Sequence, residues 1–262
     1  MSDTGFRGLT PSELMMWRQP YQEYIIANDI LLTQGTLGIY GAEGRWKSML
    51  AIDLMYKVSI GMDWFGFKTV ASPTYYFQSE IPQRPLQKRS VKYQLGNKIT
   101  SDNCWLATDL YEKIDKGWGA SLLEKELERT HAKVGIIDPI YNSISAKLNE
   151  DYEIGLVIDR LNQWRKRYGI AFVLIHHDRK MEHSEGQTFH YGTDEWFGST
   201  RWKRWLDTII YVDLINDGDP FVDLRLTFEK TRHAEEKIAP VIIQADRRTL
   251  VIKRKEGGID GN

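Results

Sequence analysis

The segment with the clearest chemical potential is a glycine-containing stretch that joins a short apolar run to a helical pattern. Its residues are Gly41-Ala42-Glu43-Gly44-Arg45-Trp46-Lys47-Ser48, and Met49 follows directly. Backbone N–H groups at the start of a helix, together with a lysine and a hydroxyl, can surround a di- or triphosphate. We therefore expect Gly41 to Met49 to bind nucleotide phosphates, with Lys47 at the β- and γ-phosphates and Ser48 as a Mg²⁺ ligand.

Trp46 departs from the usual phosphate-loop pattern, G-x-x-x-x-G-K-[ST], because it replaces the glycine before the lysine. A glycine there lets the backbone approach the phosphates, so a bulky side chain must point outward or strain the loop. The alternative interpretation is an ordinary glycine turn followed by a chance Lys-Ser pair. An apolar run before the segment and a helical pattern after it favour the phosphate loop.

Two carboxylates follow apolar runs that read as strands. Asp138 ends the run from Lys133 to Ile137, where a carboxylate can hold Mg²⁺ through its water shell, although strands often end in Asp. Glu80 follows the run from Thr74 to Phe77, where a carboxylate can orient an attacking water. A carboxylate at a helix N-terminus before Pro82 is the alternative interpretation of Glu80.

A pair of histidines ends the most apolar run, in His176-His177-Asp178-Arg179-Lys180. Adjacent residues of a strand point to opposite faces, so the two histidines make a poor chelating pair. One of them can still contact a γ-phosphate while the other packs. A zinc site is not expected, because Cys104 has no nearby cysteine or histidine partner.

These residues require a sheet that brings the ends of several strands to one edge. From Thr36 onward the pattern alternates strand, loop and helix, and segments 208–213, 221–228, 238–243 and 249–253 read as strands joined by short turns. We therefore predict an α/β fold with a mainly parallel sheet and antiparallel C-terminal strands. The predicted core is 31–256, preceded by a segment 1–30 with a short helix from Thr10 that packs on the core or a neighbour. A flexible tail, 257–262, follows.

Composition sets the protein class. The 262 residues are 42% apolar and 27% charged, which excludes disordered, collagen-like and coiled-coil chains. A net charge of −1 means that nucleic-acid binding must come from a local patch or a shared channel. The single cysteine indicates a reducing compartment. Without a signal peptide or an apolar run of about 20 residues, we expect a soluble, cytoplasmic protein with no membrane contact.

The combination of motifs resembles the RecA-like ATPases, and among them the RepA-like hexameric helicase ATPases of plasmids and phages. The resemblance covers roughly residues 30–250 and rests on Gly41–Ser48, Glu80, Ile136–Pro139, His176–Lys180 and Gly198–Thr200. It implies a RecA-like P-loop NTPase fold, a hexameric ring, and ATP bound between neighbouring subunits. The roles it implies are Lys47 and Ser48 at phosphate and Mg²⁺, Glu80 as catalytic carboxylate, Asp138 as Walker B acid, and His177 (or His176) as γ-phosphate sensor.

An arginine finger is a further implication of the resemblance. Lys230 and Arg232 look like the Lys-x-Arg pair that DnaB-type relatives project into the next subunit's ATP site. Such an arginine neutralises charge on the γ-phosphoryl oxygens. Arg201 and Arg204 are the competing candidates for this role, and an exposed arginine without a catalytic role is the alternative for each.

The stretch between Lys180 and Thr208 is rich in aromatic residues, and in the RecA-like family the corresponding loop faces a central channel. Its candidate DNA contacts are Arg179, Lys180, Arg201, Lys203 and Arg204, with aromatic rings available to stack on bases. Acidic residues offset the positive charge, so the alternative is that the aromatics pack on the core or a neighbour. A second loop, from Tyr141 to Glu150, is the other predicted channel element.

The leading hypothesis is a Mg²⁺-dependent ATPase that binds single-stranded DNA, assembles into a ring and acts as a replicative helicase motor. A recombinase or recombination mediator on single-stranded DNA is the second hypothesis. The third is a nucleotide-binding regulatory protein without turnover, which Trp46 favours. Glu80, His177, Lys230 and Arg232 favour hydrolysis, because a non-hydrolysing protein needs none of them.

Overall fold

A nine-stranded sheet forms the centre of the protein. The computed structural model describes residues 8–18, 24–108, 112–147, 150–177 and 200–255. The strands are β1 (Tyr24–Ile26), β2 (Leu31–Leu32), β3 (Thr36–Gly41), β4 (Thr74–Gln78), β5 (Cys104–Ala107), β6 (Val134–Asp138), β7 (Ala171–His177), β8 (Thr208–Asp217), β9 (Phe221–Thr231), β10 (Val241–Asp246) and β11 (Ile252–Arg254). The helices are α1 (Pro11–Met16), α2 (Lys47–Ile60), α3 (Gln83–Asn97), α4 (Gly117–Thr130), α5 (Ile140–Ser143), α6 (Asp151–Tyr168) and α7 (Thr200–Trp205).

The order of the strands decides which loops meet. The sheet runs β11-β10-β9-β8-β3-β7-β6-β4-β5, and β1 pairs with β2 in a separate hairpin. The six strands from β8 to β5 in this order are parallel, whereas β9, β10 and β11 are antiparallel. The carboxyl ends of β3, β7, β6 and β4 therefore meet at one edge, where ligands bind in open α/β sheets.

Helices cover both faces of the sheet. Along β7, Val173 and Ile175 enter one apolar cluster, which contains residues of α2, α3 and the β1–β2 hairpin. Phe172 and Leu174 point the other way, into a second cluster with residues of α4, α6 and α7. Burial on both faces explains why β7 is apolar from Ala171 to Ile175 rather than alternating. No helix within the described ranges is both long enough and apolar enough to span a membrane.

The predicted α/β fold with antiparallel C-terminal strands is confirmed, with differences at particular elements. The strand predicted at 238–243 begins at Val241, because Pro240 has no N–H to donate to β9. Within the predicted segment 1–30, residues Tyr24–Ile26 form strand β1. The helix after Thr10 forms with a capping box, but none of its residues is buried. The tail 257–262 lies outside the described residues.

Candidate nucleotide-binding site

The phosphate loop starts at Gly41, where the sheet leaves no room for a side chain. Gly41 is the last residue of β3 and pairs with His177 of β7. A Cβ atom at Gly41 would lie 2.4 Å from the carbonyl oxygen of Val212 on β8. Gly44, at φ +79°, provides the left-handed turn in the middle of the loop, a conformation that favours glycine. Both glycines of the motif are therefore required by the local backbone.

Lys47 places its ammonium group inside its own loop. It is the first residue of α2, its side chain is buried, and its Nζ donates to the carbonyl oxygen of Ala42 at 2.6 Å. Nucleotide phosphates are stronger acceptors than a backbone carbonyl, because hydrogen bonds between charged partners are shorter and stronger. The loop thus holds a buried cation at the N-terminus of a 14-residue helix, where anions bind.

Trp46 adopts the backbone conformation that a glycine normally supplies. It has φ 59° and ψ 13°, in the left-handed region, and it is the N-cap residue of α2. Its half-buried indole packs against the first apolar cluster. The guanidinium of Arg247, from the turn between β10 and β11, lies 5.8 Å from the centre of the indole ring. The loop therefore keeps a left-handed residue at this position, and its side chain is held by contacts outside the loop.

Asp138 is fully buried at the carboxyl end of β6. The hydroxyl of Tyr76 donates to Asp138 Oδ2 at 2.6 Å. Burial raises the pKa of Asp138 to about 6, although Tyr76, Ser48 and Lys47 each act to lower it. Its other oxygen, Oδ1, accepts no hydrogen bond from the described residues. A buried carboxylate oxygen in that condition is matched to a cation or to water in a bound metal's shell.

These residues fit a magnesium ion delivered with a nucleotide. Ser48 follows Lys47 on α2, and its hydroxyl lies near enough to Asp138 to lower the pKa of that carboxyl group. No group of three or more His, Cys, Asp or Glu side chains arranged for a metal exists among the described residues. Mg²⁺ commonly binds through one or two protein oxygens, several waters and the substrate phosphates, so Ser48 and Asp138 suffice.

Glu80 lies just beyond β4, and neighbouring side chains fix its position. The side-chain oxygen of Gln78 accepts hydrogen bonds from the backbone N–H groups of Glu80 and Ile81. The Glu80 carboxylate accepts from the hydroxyl of Tyr141 and, at 3.4 Å, from the side-chain amide of Asn142. Helix α3 begins only at Gln83 and has no side-chain cap. Glu80 is therefore oriented by the segment after Asp138 rather than by the helix that follows it.

The two histidines end β7 directly beside β3. His176 is buried, pairs in register with Tyr40, and has its ring centre 6.4 Å from the ring centre of Tyr141. His177 pairs with Gly41 through the backbone. The strand thus brings both positions to the edge where Gly41, Asp138 and Glu80 also lie. Asp178, Arg179 and Lys180, which follow directly, lie outside the described residues.

Lys230 and Arg232 lie at the opposite edge of the sheet. Lys230 Nζ donates to the carbonyl oxygens of Lys203, at 2.6 Å, and Leu206, and burial lowers the pKa of Lys230 to about 8. Arg232 forms an ion pair with Asp207 at 2.8 Å and donates to the carbonyl oxygen of Arg204. Both cations therefore bind the C-terminal end of α7.

This edge is one strand length from the phosphate loop of the same subunit. Asp207 accepts hydrogen bonds from the backbone N–H of Thr36, at 3.1 Å, and from its hydroxyl, at 3.0 Å. Thr36 begins β3 and Gly41 ends it, a span of five residue steps or roughly 17 Å. Arg232 is thus about that far from the Gly41 end of its own β3.

The basic residues of α7 differ in their surroundings. Arg201 is exposed but lies against α6, since a Cβ atom at Gly155 would be 2.7 Å from its guanidinium. Arg204 is also exposed and Lys203 is half-buried. Trp202 is fully buried, and Trp205 donates to the side chain of Asn162 at 2.8 Å. These two aromatics pack on the core, as the alternative interpretation expected, whereas the aromatics from 189 to 197 lie outside the described residues.

Three polar contacts of the site were not expected from the sequence. Tyr76 and Gln78 lie on β4 and act on Asp138 and Glu80, and Tyr141 lies beyond β6 and acts on Glu80. The available signal was a polar residue at the end of an apolar run and a tyrosine shortly after Asp138-Pro139. Using that signal requires the neighbour relation between β4 and β6, which is a property of the sheet.

Comparisons with known proteins agree with this fold. The sequence profile described as "AAA domain" matches residues 6–183, more than half of the chain. A KaiC-like protein from the hyperthermophilic archaeon Pyrococcus horikoshii OT3 superposes with a TM-score of 0.56 at 15% identity, over 91% of this chain and 99% of that one. No curated protein matches the sequence. The chain therefore belongs to the AAA domain family and has a RecA-like P-loop NTPase fold.

Proposed function

We propose that this protein couples Mg²⁺-dependent ATP hydrolysis to binding or translocation along single-stranded DNA, as a ring-shaped replicative helicase motor of the RepA-like type. One observation carries the hydrolytic part. Strands β3, β6 and β4 bring a buried lysine, a helix N-terminus, a buried carboxylate and an oriented carboxylate to a single sheet edge. Those groups are Lys47, Ser48, Asp138 and Glu80.

Each group has a separate task in this proposal. Lys47 and the loop N–H groups bind the β- and γ-phosphates, and Ser48 with Asp138 would hold Mg²⁺, which neutralises phosphate charge when bound. Glu80 orients the attacking water, and Tyr141 fixes the Glu80 carboxylate through its hydroxyl. A carboxylate that only stabilised the fold would not need this orientation beside a phosphate loop.

The placement of Lys230 and Arg232 supports the proposed ring. They lie at the amino end of β3, roughly 17 Å from the loop that ends it, so they are poorly placed for their own site. Arg232 is 42% exposed and is thus available to a neighbouring subunit after leaving Asp207. In a ring, head-to-tail contacts place this edge against the next subunit's phosphate loop. We propose a hexamer, with Arg232 as the finger and Arg201 and Arg204 as its competitors.

The proposed DNA contact uses basic residues on helix α7 and in the segment before it. Helix α7 ends the connection that begins after His177, beside the phosphate loop. Two exposed arginines, Arg201 and Arg204, lie on this helix. We propose that they, with Lys203, Arg179 and Lys180, contact the DNA backbone, so binding should weaken with rising salt concentration.

Steady-state hydrolysis with and without single-stranded DNA tests the proposal. We expect DNA to stimulate the wild-type rate of hydrolysis. Lys47→Ala and Glu80→Gln should each lower that rate at least about 100-fold. Asp102→Asn, which neutralises an exposed carboxylate before β5, is the matched control and should keep the rate. A hydrolysis rate that neither DNA nor either substitution changes would refute the proposed motor function.

A non-hydrolysing nucleotide-binding protein is the second candidate, and Trp46 is the observation that favours it. A bulky left-handed residue in the loop can hold nucleotide without turnover. Tight ATP binding with no measurable hydrolysis, in the presence or absence of DNA, would select this candidate. Unwinding of a forked duplex separates the helicase from a recombination mediator, which should hydrolyse ATP on single strands without opening the fork.

A further inference from the structure

Trp46 occupies a backbone conformation that is unfavourable for residues other than glycine. Its φ of 59° and ψ of 13° lie in the left-handed region, where any residue with a Cβ atom is strained and glycine is not. The loop cannot relax Trp46 to a right-handed conformation without moving Lys47, which is the next residue and starts α2. Contacts elsewhere must therefore compensate for the strain.

Two contacts of the indole supply that compensation. One side of the side chain packs against the first apolar cluster. The guanidinium of Arg247 lies 5.8 Å from the ring centre, within the range of a cation–π interaction. Since Trp46 and Arg247 are 201 positions apart in the sequence, this contact joins the loop to the antiparallel end of the sheet.

Arg247 is itself fixed by three surrounding elements. Its guanidinium forms an ion pair with Asp217 and donates to the carbonyl oxygen of Gly218 at 3.2 Å, both near the turn between β8 and β9. Its backbone N–H donates to the carbonyl oxygen of Pro220 at 2.9 Å. Lys92, on α3, donates to its carbonyl oxygen at 2.7 Å. Two hydrogen bonds therefore hold the backbone of Arg247, and the ion pair with Asp217 and the bond to Gly218 orient its guanidinium, although the side chain is 41% exposed.

We propose that Arg247 is a positioning residue for nucleotide binding, because it holds the Trp46 indole and thereby the phosphate loop in its binding conformation. We call the two side chains the Trp46–Arg247 clamp. The inference rests on the proposed function in one respect, that the loop binds nucleotide phosphates. In the usual motif, glycine adopts the left-handed conformation without strain. Here the clamp stabilises Trp46 in that conformation.

The clamp makes a specific quantitative prediction. Without Arg247, the loop spends less time in the binding conformation, and the apparent affinity falls by the same fraction. With glycine at position 46, the left-handed conformation carries no strain, so Arg247 is no longer needed. The effect of losing Arg247 must therefore depend on the residue at position 46.

A double-mutant cycle on ATP affinity, measured with a fluorescent ATP analogue, tests this dependence. We expect Arg247→Ala to weaken binding by about three- to tenfold in the wild-type background. In a Trp46→Gly background the same change should weaken binding by less than about twofold. Arg248→Ala, in the same turn with the same charge, is the control, and it should change affinity by less than about twofold in both backgrounds. Equal losses from Arg247→Ala in both backgrounds would overturn the clamp.

A second cycle needs no nucleotide. Urea unfolding of wild type, Trp46→Gly, Arg247→Ala and the double variant should show a non-additive, stabilising coupling between the two positions. Additive free energies of unfolding would overturn the clamp even if ATP binds. If wild type binds no nucleotide, the proposed function fails, and this cycle still decides the clamp. Should Arg247→Ala not fold, Arg247→Lys keeps the charge but loses the planar group over the ring, and the same dependence on position 46 is expected.

Discussion

At the scale of single residues, the buried carboxyl group of Asp138 is suited to bind a cation, but its charged form destabilises the fold. A carboxyl group with no exposed surface has its charged form penalised, and burial raises the pKa of Asp138 to about 6 from 3.8. Between those two pH values the folded protein binds a proton more tightly than the unfolded chain does. The stability that Asp138 contributes is therefore fully present below about pH 3.8 and is lost as the pH rises through about 6.

Asp138→Asn should separate the two effects. We expect the variant to be more stable than wild type at pH 7.5 without Mg²⁺, by up to about 3 kcal/mol, because the buried charge is gone. The advantage should largely disappear at pH 4.5. Urea unfolding at both pH values measures the difference, and Asp102→Asn, an exposed carboxyl group, is the control. A stability difference that does not change with pH would contradict the raised pKa.

At the scale of elements, the contact between β3 and β8 determines the start of the loop. The carbonyl oxygen of Val212 lies where a Cβ atom at Gly41 would have to go, 2.4 Å away. This oxygen belongs to the backbone and cannot move without shifting β8. Gly41 is thus fixed by packing between strands, in addition to its place in the motif.

Gly41→Ala should therefore damage both fold and site. We expect a loss of about 1–3 kcal/mol in the free energy of unfolding, from overpacking against β8, and weaker ATP binding. Gly117→Ala is the matched control, because no atom lies within 4 Å of a Cβ there and alanine suits the first turn of α4. Thermal melts of the two variants make the comparison, and an unchanged melting temperature for Gly41→Ala would refute the close approach.

Elements with a strong local pattern could be predicted from the sequence. The core strands are apolar runs between turn residues, and α2 and α6 have clear apolar positions and end at Gly61 and Gly169. Helix α3 could not be predicted in this way, because only Leu86 and Tyr93 of its 15 residues are buried. The pattern of a helix that buries so little is almost uniformly polar.

The candidate site divides along the same line. The loop, Asp138 and Glu80 could be predicted because each follows a short apolar run that by itself indicates a strand. Tyr141 and Arg247 could not, since their partners are 61 and 201 positions away in the sequence. Such contacts depend on the order of strands in the sheet, which follows from packing rather than from any short pattern. The trans role of Lys230 and Arg232 stays a prediction.

At the scale of the whole molecule, a finger that acts in trans permits a complementation experiment. Lys47→Ala and Arg232→Ala should each be inactive alone, whereas mixed subunits should recover activity at roughly a quarter of their interfaces if they associate at random. ATPase rates of one-to-one mixtures measure this recovery.

The control mixture distinguishes trans from cis action. Lys47→Ala mixed with Glu80→Gln should recover nothing, because both residues serve the site of one subunit. A mixture of Lys47→Ala and Arg232→Ala that stays inactive, although the subunits co-assemble, would contradict a finger at Arg232.

Strand β3 connects the phosphate loop with the carboxylate that holds the proposed arginine finger. Its first residue, Thr36, is tied to Asp207, the same carboxylate that holds Arg232, and its last residue is the start of the phosphate loop. Hydrogen bonds to β7 and β8 on both sides make this short strand stiff. We expect a displacement at the loop to reach Asp207 as a rigid shift. Nucleotide binding in one subunit should therefore change the ion pair between Asp207 and Arg232, the arginine proposed to act in the next subunit. In the proposed ring, this strand would couple nucleotide binding in one subunit to hydrolysis in the next.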